Sequence, residues 1–473
     1  MPRNRLPLPS APPHTRSIRC TLAVVLRTPA VVLRRSAVVL RRSAVVLRRS
    51  AVVLRLLATL WACACVCVWA CSPGGAAAAY ASPGGLAALQ ADLGHQLALA
   101  GPASGAYVYD LTARQALFSE RATALRPPAS VEKLYTATTA LSRMGASARL
   151  STTVLGAGQL APGGVWEGNL YLRGGGDPTF GSASFIRSHY GGEGATVSAL
   201  VAQLVRVDGI HYVTGSIFGD ESYLDSLRGE PYSGYAPDPF LEGALSGLAF
   251  NRGATGSQHG PHAPAAYAAR ELWATLKSDG VTIHGSPGAA TTPAGVTQLA
   301  QVQSPTIAQL LGLMLPPSDN FFAETLVKDL GSRYGGAGTT SAGASVVRQT
   351  IGSLLGLNPH VVDGSGLSES DLTSPYQVTD LLVELAPTPI GAVLRGALAV
   401  AGHTGTLAER MRHSGAAGRC EGKTGTLTGV SNLVGYCQSA DGHLLAFAIF
   451  TDGTATATAH TLQDHMAITI ADY

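Results

Sequence analysis

The sequence predicts a fold of the α/β or α+β class, in which both ends of the chain supply strands to one sheet. Strand patterns occur early, at 106–110 and 116–119, on either side of a short turn. Apolar runs typical of buried strands occur late, at 433–437 and 444–450. Helical periodicity lies between and around these segments. Because helices and sheets bury each other's apolar faces in layers, this order favours a sheet covered by helices.

Length and composition limit the classes of protein to consider. A chain of 473 residues exceeds one ordinary hydrophobic core and predicts two or three domains. With 13% charged and 46% hydrophobic residues, the chain is not a charge-driven disordered protein. Residues 1–81 contain twelve arginines and no lysine or acidic residue, which leaves the remainder with a net charge of −9. An acidic body disfavours nucleic-acid binding.

Residues 1–81 form a basic leader that ends like a signal peptide. Within 30–55 the heptad Ala-Val-Val-Leu-Arg-Arg-Ser repeats, and an uncharged apolar stretch follows at 56–70. That stretch is shorter than the roughly 20 residues of a spanning helix. A run of small residues at 72–81 then offers a cleavage site after Ala81. We therefore expect the body to be exported to the cell envelope, the periplasm or the medium.

Two other interpretations of the leader stay open. Val68-Trp69-Ala70-Cys71 loosely resembles a lipoprotein processing site, which would leave Cys71 lipidated. The arginine-rich repeat could instead be a basic amphipathic arm that binds a membrane surface or a nucleic acid. A retained leader or a lipid on Cys71 would associate the protein with a membrane.

Cysteine placement agrees with export. Five of the seven cysteines lie in the leader, so only Cys420 and Cys437 remain in the body. A β-hairpin that turns at 428–429 would place these two cysteines opposite each other, and an oxidising compartment permits the disulfide. A shift of one residue in register would forbid it.

The elements of the body can be predicted in order. Leucines at helical spacing from Leu86 to Leu97 predict an opening amphipathic helix. After the first two strands, the pair Pro127–Pro128 interrupts the chain, and a helix is predicted from near Ser130 to about Arg143. Further helices are predicted at 306–315, 321–330 and 460–471.

The stretch 151–295 has a different texture. Short strand-like pieces such as 169–172 and 215–218 alternate there with glycine and proline runs. We predict that it forms a β-rich insert of one or two subdomains. The main domain would then consist of residues 82–150 together with 296–473.

Several common catalytic motifs are absent from the sequence. There is no H-E-x-x-H and no Cys/His zinc spacing, so a metal hydrolase lacks its ligands. The α/β-hydrolase signature G-x-S-x-G is missing as well. The glycine-rich segment 174–178 lacks the Gly-Lys-Ser/Thr of a phosphate loop and is expected to be a tight turn. We expect no metal and no cofactor.

Three other motifs follow one another in the body. They are Ser-Val-Glu-Lys at 130–133, Ser-Asp-Asn at 318–320 and Lys-Thr-Gly at 423–425. The body has only four lysines, and two of them fall in these motifs. An S-x-x-K match alone is weak, whereas three motifs in this order are specific.

Elementary chemistry suggests roles for the first motif. At a helix start, Ser130 and Lys133 share one face, which brings the lysine amine towards the serine hydroxyl. Burial would lower the pKa of Lys133 and make its amine a base. Ser130 could then attack a carbonyl while the helix N-terminus favours the developing negative charge. The simpler alternative is that Ser130 only caps the helix.

The other motifs supply complementary groups. Ser318 could relay a proton to a leaving nitrogen, and Asn320 could hold Lys133 and a substrate amide. Lys423 offers a cation for a substrate carboxylate. Hydroxyls and close backbone approach would come from Thr424, Gly425 and Thr426, and the Thr426 amide could complete an oxyanion hole with that of Ser130. The simpler alternatives are a turn after two prolines for Ser318 and Asn320, and a solvent-facing lysine for Lys423.

This set of motifs resembles the penicillin-recognising serine enzymes. The segments Leu-Tyr-Leu-Arg-Gly-Gly-Gly-Asp-Pro-Thr at 170–179 and Asp-Gly-Ser-Gly-Leu-Ser at 363–368 narrow the resemblance. They are similar to the D-alanyl-D-alanine carboxypeptidase/endopeptidase family, the low-molecular-mass class C penicillin-binding proteins. The resemblance covers about 86–470.

The resemblance implies a penicillin-binding, serine β-lactamase-like fold, with an antiparallel sheet flanked by helices and an insert after the S-x-x-K helix. It implies a serine peptidase that acts on peptidoglycan stem peptides ending in D-Ala-D-Ala and that is acylated by β-lactam antibiotics. Catalysis would rest on Ser130, Lys133, Ser318, Asn320 and Lys423. The turn 363–368 would lie near the site without a direct catalytic use.

Two alternatives share this fold. A serine β-lactamase would release penicillin quickly, but none of Glu324, Glu369, Glu384 and Glu409, which lie between the last two motifs, begins an E-x-x-x-N pattern typical of a deacylating glutamate. A non-catalytic wall-binding scaffold would retain the fold without turnover, although three intact motifs argue against it.

Overall fold

The computed structural model describes residues 85–253 and 263–473. The first half contains α1 Leu86–Leu99, β1 Gly105–Asp110, β2 Gln115–Glu120, α2 Lys133–Arg143, β3 Ser151–Ala161, β4 Val165–Arg173, α3 Ala183–Tyr190, α4 Val197–Arg206, β5 Tyr212–Val213 and β6 Ile217–Asp220. The next elements are α5 Pro264–Ser278, β7 Thr282–Ile283, β8 Pro287–Ala289, β9 Thr297–Gln303, α6 Ile307–Met314, α7 Asn320–Tyr334 and α8 Thr340–Leu355. The last are α9 Pro375–Leu385, α10 Pro389–Gly396, β10 Ala399–Val400, β11 Cys420–Leu427, β12 Val430–Gln438, β13 Leu444–Asp452 and α11 Thr456–Asp472.

The main sheet joins the two ends of the body, as the sequence predicts. Its six strands lie in the order β10-β11-β12-β13-β1-β2, and every neighbouring pair is antiparallel. Strand β1 pairs with β13, so that Gly105 lies opposite Phe450. The predicted opening helix, both early strands and both late strands are observed.

Helices cover both faces of this sheet. On β13, Ala446, Ala448 and Phe450 pack into a core that also contains apolar residues of α2, α6, α7, α8, α9 and α10. The alternate residues of β13 pack into a second core with leucines of α1 and apolar residues of α11. Side chains alternate between the faces of a strand, so a strand covered on both sides is apolar throughout. This explains the continuous apolar run at 444–450.

The hairpin of β11 and β12 has the register that brings the two cysteines together. Cys420 lies opposite Cys437, and the pairing continues to Leu427 opposite Val430. The two cysteines form a disulfide whose Cα atoms are 4.1 Å apart. The disulfide closes the hairpin at the end far from its turn.

The segment predicted as a β-rich insert is a mixed layer of strands and helices. Strands β3 to β9 form a seven-stranded sheet with both parallel and antiparallel pairs. Three helices, α3, α4 and α5, lie in the same stretch, and the apolar residues of α4 and α5 share one core with the strands. The sheet also extends past the predicted end at residue 295, because β9 pairs with β3 as far as Gln303.

The start of the predicted S-x-x-K helix differs from expectation. Ser130 lies in a 3-10 turn over Ala129–Glu132, and the α-helix begins only at Lys133. Ala129 has a positive φ of 49°, which a continuous α-helix from this point would not allow. The two functional residues therefore lie on either side of a junction between helix types.

None of the helices in the described part of the chain is long and apolar enough to cross a membrane. The predictions for the leader, namely the repeat, the cleavage after Ala81 and the lipidation of Cys71, lie outside the described residues.

Candidate active site

The backbone that carries Ser130 is clamped between two glycines. A side chain at Gly366 would collide with the Ala129 carbonyl, and one at Gly425 would collide with the carbonyl of the proline before Ala129. The amide of Asn432 on β12 adds two hydrogen bonds, of 3.0 and 2.9 Å, to the carbonyls of both preceding prolines. Strand β11 and the 363–368 turn thus fix the half-buried Ser130 at the edge of the main sheet.

Lys133 links the first two motifs. Its fully buried ammonium donates to Ser130 Oγ at 2.9 Å and to Asn320 Oδ1 at 2.6 Å. A third hydrogen bond of 2.7 Å goes to the carbonyl of Ser365. The structure therefore brings together the three residues that sequence analysis selected, and it adds a backbone acceptor that no residue type could reveal.

Burial lowers the pKa of Lys133 to about 8, and the charges of nearby carboxyl groups oppose this effect only in part. Those groups belong to Asp363, Glu324, Asp319 and Glu132. A lysine with a pKa near 8 has a substantial neutral fraction close to neutral pH. Such an amine can accept a proton from the hydroxyl beside it.

A group of buried carboxyls, which we call the acidic side of the site, lies around Lys133. It consists of Glu132, Glu324 and Asp363, none of which is exposed. Glu324 Oε1 accepts from the amides of Gly364 and Ser365 at 2.9 and 2.7 Å, so this glutamate orients the turn whose carbonyl binds Lys133. Asp363 braces the same turn by accepting from three of its amides, those of Ser365, Gly366 and Ser368.

Burial disfavours the charged form of two members of the acidic side, Glu132 and Glu324. Burial, reinforced by the neighbouring acids, raises the pKa of Glu132 well above its usual value. Burial and Asp363 raise the pKa of Glu324 to about 8. Sequence analysis considered Glu324 only as a deacylating group, whereas it supports the 363–368 turn. The small, polar residues of the 363–368 turn are the sequence feature that could have indicated this contact with Glu324.

Lys423 lies in a contrasting environment, which we call the cationic side. Its buried ammonium donates to Ser318 Oγ and to the Thr424 carbonyl, both at 2.7 Å. Within the described ranges, no acidic side chain lies within ion-pair distance of it. Burial and the nearby charge of Lys133 lower its pKa well below the usual value. Ser318 itself has a positive φ of 66°, a constrained backbone for a serine.

The middle residue of the second motif ties the site to the inserted layer. Asp319 caps α7 through the Phe322 amide, at 3.0 Å, and its other oxygen pairs with Arg252. Arg252 is buried, lies over the ring of Phe321 and donates to the Tyr190 hydroxyl at 2.8 Å. Sequence analysis did not predict this pair, because nothing in the local sequence relates positions 252 and 319.

A second contact from the insert reaches Asn320 directly. The Asn320 side-chain amide donates to the Phe240 carbonyl at 2.9 Å, while its oxygen accepts from Lys133. Both ends of the amide are therefore engaged, which fixes its orientation. Asn320 occupies the position predicted for it.

The third motif lies on β11 beside Ser130. Gly425 packs against the backbone at Ser130, as close approach of the two segments requires. The side chain of Thr426 is exposed, and Thr424 Oγ1 donates to Thr406 Oγ1 at 2.8 Å. Thr406 was not among the predicted residues. In the part of the chain that the structure describes, no group of three or more His, Cys, Asp or Glu residues could hold a metal ion.

Comparison with known families gives a match over most of the chain. The model of the D-Ala-D-Ala carboxypeptidase 3 (S13) family matches residues 86–236 and 245–473. The chain is 31% identical to the D-alanyl-D-alanine carboxypeptidase of Actinomadura sp. (strain R39), over 80% of this chain and 82% of that protein. It is 30% identical to a carboxypeptidase of Mycobacterium tuberculosis, over 69% and 71% of the two chains.

A solved structure shares the fold. The crystal structure of penicillin binding protein 4 from Haemophilus influenzae superposes with a TM-score of 0.65 at 22% identity. The match covers 80% of this chain and 97% of that one. The predicted fold class, a penicillin-binding fold with helices around an antiparallel sheet, is thereby confirmed.

Proposed function

The chain belongs to the D-Ala-D-Ala carboxypeptidase 3 (S13) family, as its motifs predicted, and we propose that it cleaves the D-Ala-D-Ala ends of peptidoglycan stem peptides with Ser130 as its nucleophile. One observation carries this proposal. The Lys133 amine lies 2.9 Å from Ser130 Oγ, within reach of the hydroxyl proton, and its pKa is about 8. A base matched to the working pH beside a hydroxyl is the requirement for nucleophilic catalysis by serine.

Acylation follows from this geometry. Neutral Lys133 takes the Ser130 proton while Oγ attacks the carbonyl of the penultimate D-alanine. The amides of Ser130 and Thr426 are the proposed donors to the oxyanion. The peptide bond then breaks, the proton that Lys133 took from Ser130 passes through the Ser318 hydroxyl to the leaving nitrogen, and D-alanine departs with Lys133 neutral again. Water attacks the remaining ester with Lys133 again as the base, and this step restores Ser130.

The cationic side supports recognition of a terminal carboxylate. Lys423 is buried and has no acidic partner in the described part of the chain, so its protonated form gains most when an anion arrives. A substrate that ends in a carboxylate supplies that anion, and this places the scissile bond over Ser130. The same reasoning covers benzylpenicillin, which carries a carboxylate next to its β-lactam ring.

The geometry supports a peptidase more than a β-lactamase. Glu324, which lies between the last two motifs, is bound to two turn amides and has no access to solvent. It is therefore not placed to activate water for rapid deacylation. Attack on a β-lactam opens the ring, and the tethered leaving group stays in the site, so the penicillin ester is expected to persist.

Export completes the proposal. Peptidoglycan lies outside the cytoplasm, and the leader 1–81 supplies a signal for that route. Recovery of a mature chain that begins at Ser82 would support cleavage, whereas lipid on Cys71 or an intact leader would support membrane association.

The test uses the purified wild-type protein, a peptide that ends in D-Ala-D-Ala, and benzylpenicillin. We expect release of free D-alanine and a penicillin adduct on Ser130 that mass spectrometry still detects after many minutes. Ser130→Ala should lose both signals while its circular dichroism spectrum is unchanged. A rapidly released adduct would identify a β-lactamase. The absence of both reactions in the wild type would support the non-catalytic wall-binding scaffold instead.

A further inference from the structure

A short turn between β10 and β11, residues 402–407, lies against two of the catalytic segments. The Thr406 amide donates to the Pro316 carbonyl at 2.9 Å, two residues before Ser318. Gly405 has a φ of 55°, and a side chain there would collide with the same carbonyl. The 402–407 turn therefore approaches the Ser318 segment as closely as backbone permits.

The turn is a fixed structure. The Gly402 amide donates to the Leu407 carbonyl at 2.9 Å, and the Leu407 side chain is buried in the core. The Thr404 hydroxyl accepts from the Val400 amide at 2.9 Å, which ties the turn to β10. Thr406 is consequently held in one place at the surface, with its side chain exposed.

The Thr406 hydroxyl has an unused proton. Thr424 Oγ1 donates to Thr406 Oγ1 at 2.8 Å. A hydroxyl that accepts one hydrogen bond still has its own proton to donate. The exposed donor of this pair is therefore Thr406, and Thr424 is the buried group that orients it.

Lys423 does not supply all the hydrogen bonds that a bound carboxylate can accept. Its ammonium is fully buried and donates two of its three protons to Ser318 and to the Thr424 carbonyl, so it has at most one proton left for an anion. The other hydrogen bonds to the anion would come from groups at the surface of the cationic side. The exposed hydroxyls there are those of Thr426 and Thr406.

We propose that the Thr406 hydroxyl donates a hydrogen bond to the terminal carboxylate of the substrate and is a specificity residue for substrates with a free carboxylate. This inference rests on the proposed function. Hydrogen bonds to charged groups contribute about 1.5–3 kcal/mol, which corresponds to roughly tenfold to a hundredfold in binding.

The experiment compares Thr406→Val, which keeps the shape and removes the hydroxyl, with Thr406→Ser, which keeps the hydroxyl. Thr297→Val, on an exposed position of β9 in the other sheet, is the matched control. Each variant is measured on a D-Ala-D-Ala peptide and on its C-terminal amide, and acylation is measured with benzylpenicillin and its methyl ester.

We expect Thr406→Val to lose about tenfold to a hundredfold in kcat/KM on the free acid, mostly through a higher KM, because the bond is present before and during reaction. Acylation by benzylpenicillin should fall by a similar factor. Reaction with the amide and the methyl ester should change less than threefold, and Thr406→Ser and Thr297→Val should match the wild type.

An equal loss on the acid and neutral compounds, or no loss on either, would overturn the role of Thr406. These results are distinct from failure of the proposed function. In that case the wild type itself would release no D-alanine and would form no Ser130 adduct.

Discussion

The two buried lysines of the site lie in opposite electrostatic surroundings. Lys133 is enclosed by the acidic side, where nearby acids, Asp363 first among them, keep its pKa from falling further. Among the residues that the structure describes, the partners of Lys423 on the cationic side are a hydroxyl and a carbonyl, and no acid lies within ion-pair distance of it. The difference teaches that the same residue type is tuned for two tasks. Lys133 is held by protein groups as a base, whereas Lys423 is placed to receive its anionic partner from a ligand.

The largest expected effect is that of Lys133→Met. Without its base, Ser130 should lose about 10³-fold or more in acylation by every substrate, charged or neutral. The loss of the donor to buried acceptors on Asn320 and Ser365 should destabilise the variant, but removal of a lysine whose pKa is lowered by burial should offset part of that loss. Penicillin labelling and urea denaturation measure the two effects.

The control for this change is Lys277→Met, which removes an exposed lysine stacked on Trp273 of α5. Its labelling should equal that of the wild type. If Lys133→Met labelled within tenfold of the wild type, Lys133 would not be the base.

Lys423→Met should have a smaller and selective effect. We expect about a 10²-fold loss in kcat/KM on peptides with a free carboxylate, and less on their amides, because the attraction for the anion is removed. Burial lowers the pKa of Lys423, so below pH 10.5 the unfolded chain holds this proton more readily and the lysine costs stability. Removal of the lysine relieves that cost and offsets part of the loss of the donor to Ser318 and to the Thr424 carbonyl, so the urea midpoint should change little. Equal losses on acid and amide would make the two lysines equivalent.

The features of the site and of the main sheet that depend on residue type could be predicted from the sequence. The three motifs, the Cys420–Cys437 register and the apolar strands of the main sheet follow from spacing and from burial on both faces. The helices of the insert were missed because glycine and proline runs surround them, although Val197, Leu200 and Leu204 do follow helical spacing.

Contacts between residues far apart in the chain, and contacts made by backbone groups, could not be predicted from the sequence. The Ser365 carbonyl on Lys133 carries no side-chain signature, and the pairing of Arg252 with Asp319 joins residues 67 positions apart. Thr406 depends on a turn that packs against Pro316. These contacts arise only when the chain has folded, so no local pattern encodes them.

The pH dependence of acylation offers a smaller, sharper test of the acidic side. The pKa of Lys133 is lowered from its usual value to about 8, so its neutral fraction rises as pH increases through 8. We expect penicillin acylation to increase about tenfold between pH 7 and pH 9 and then to level off. Ser130→Ala at each pH corrects for hydrolysis of the antibiotic by the buffer. A flat profile would show that proton removal by Lys133 does not limit acylation.

The smallest expected effect on activity is that of Glu132→Gln. The carboxyl of Glu132 is buried, neither oxygen has a hydrogen-bond partner, and its pKa is raised well above the usual value. Burial therefore favours its protonated form, and a neutral amide of the same shape should leave acylation and its pH profile within about twofold of the wild type.

The pH dependence of stability should distinguish Glu132→Gln from the wild type. A raised pKa means that the folded state binds the proton more tightly, so wild-type stability falls as pH rises from the unfolded value near 4.5 through the folded value. Glu132→Gln lacks this titration and should lose less stability than the wild type over that range in urea denaturation. If the pH profile of acylation moved to lower pH in Glu132→Gln, the assignment of a neutral Glu132 would be wrong. Such a shift would show that Glu132 is charged and contributes to holding the proton on Lys133.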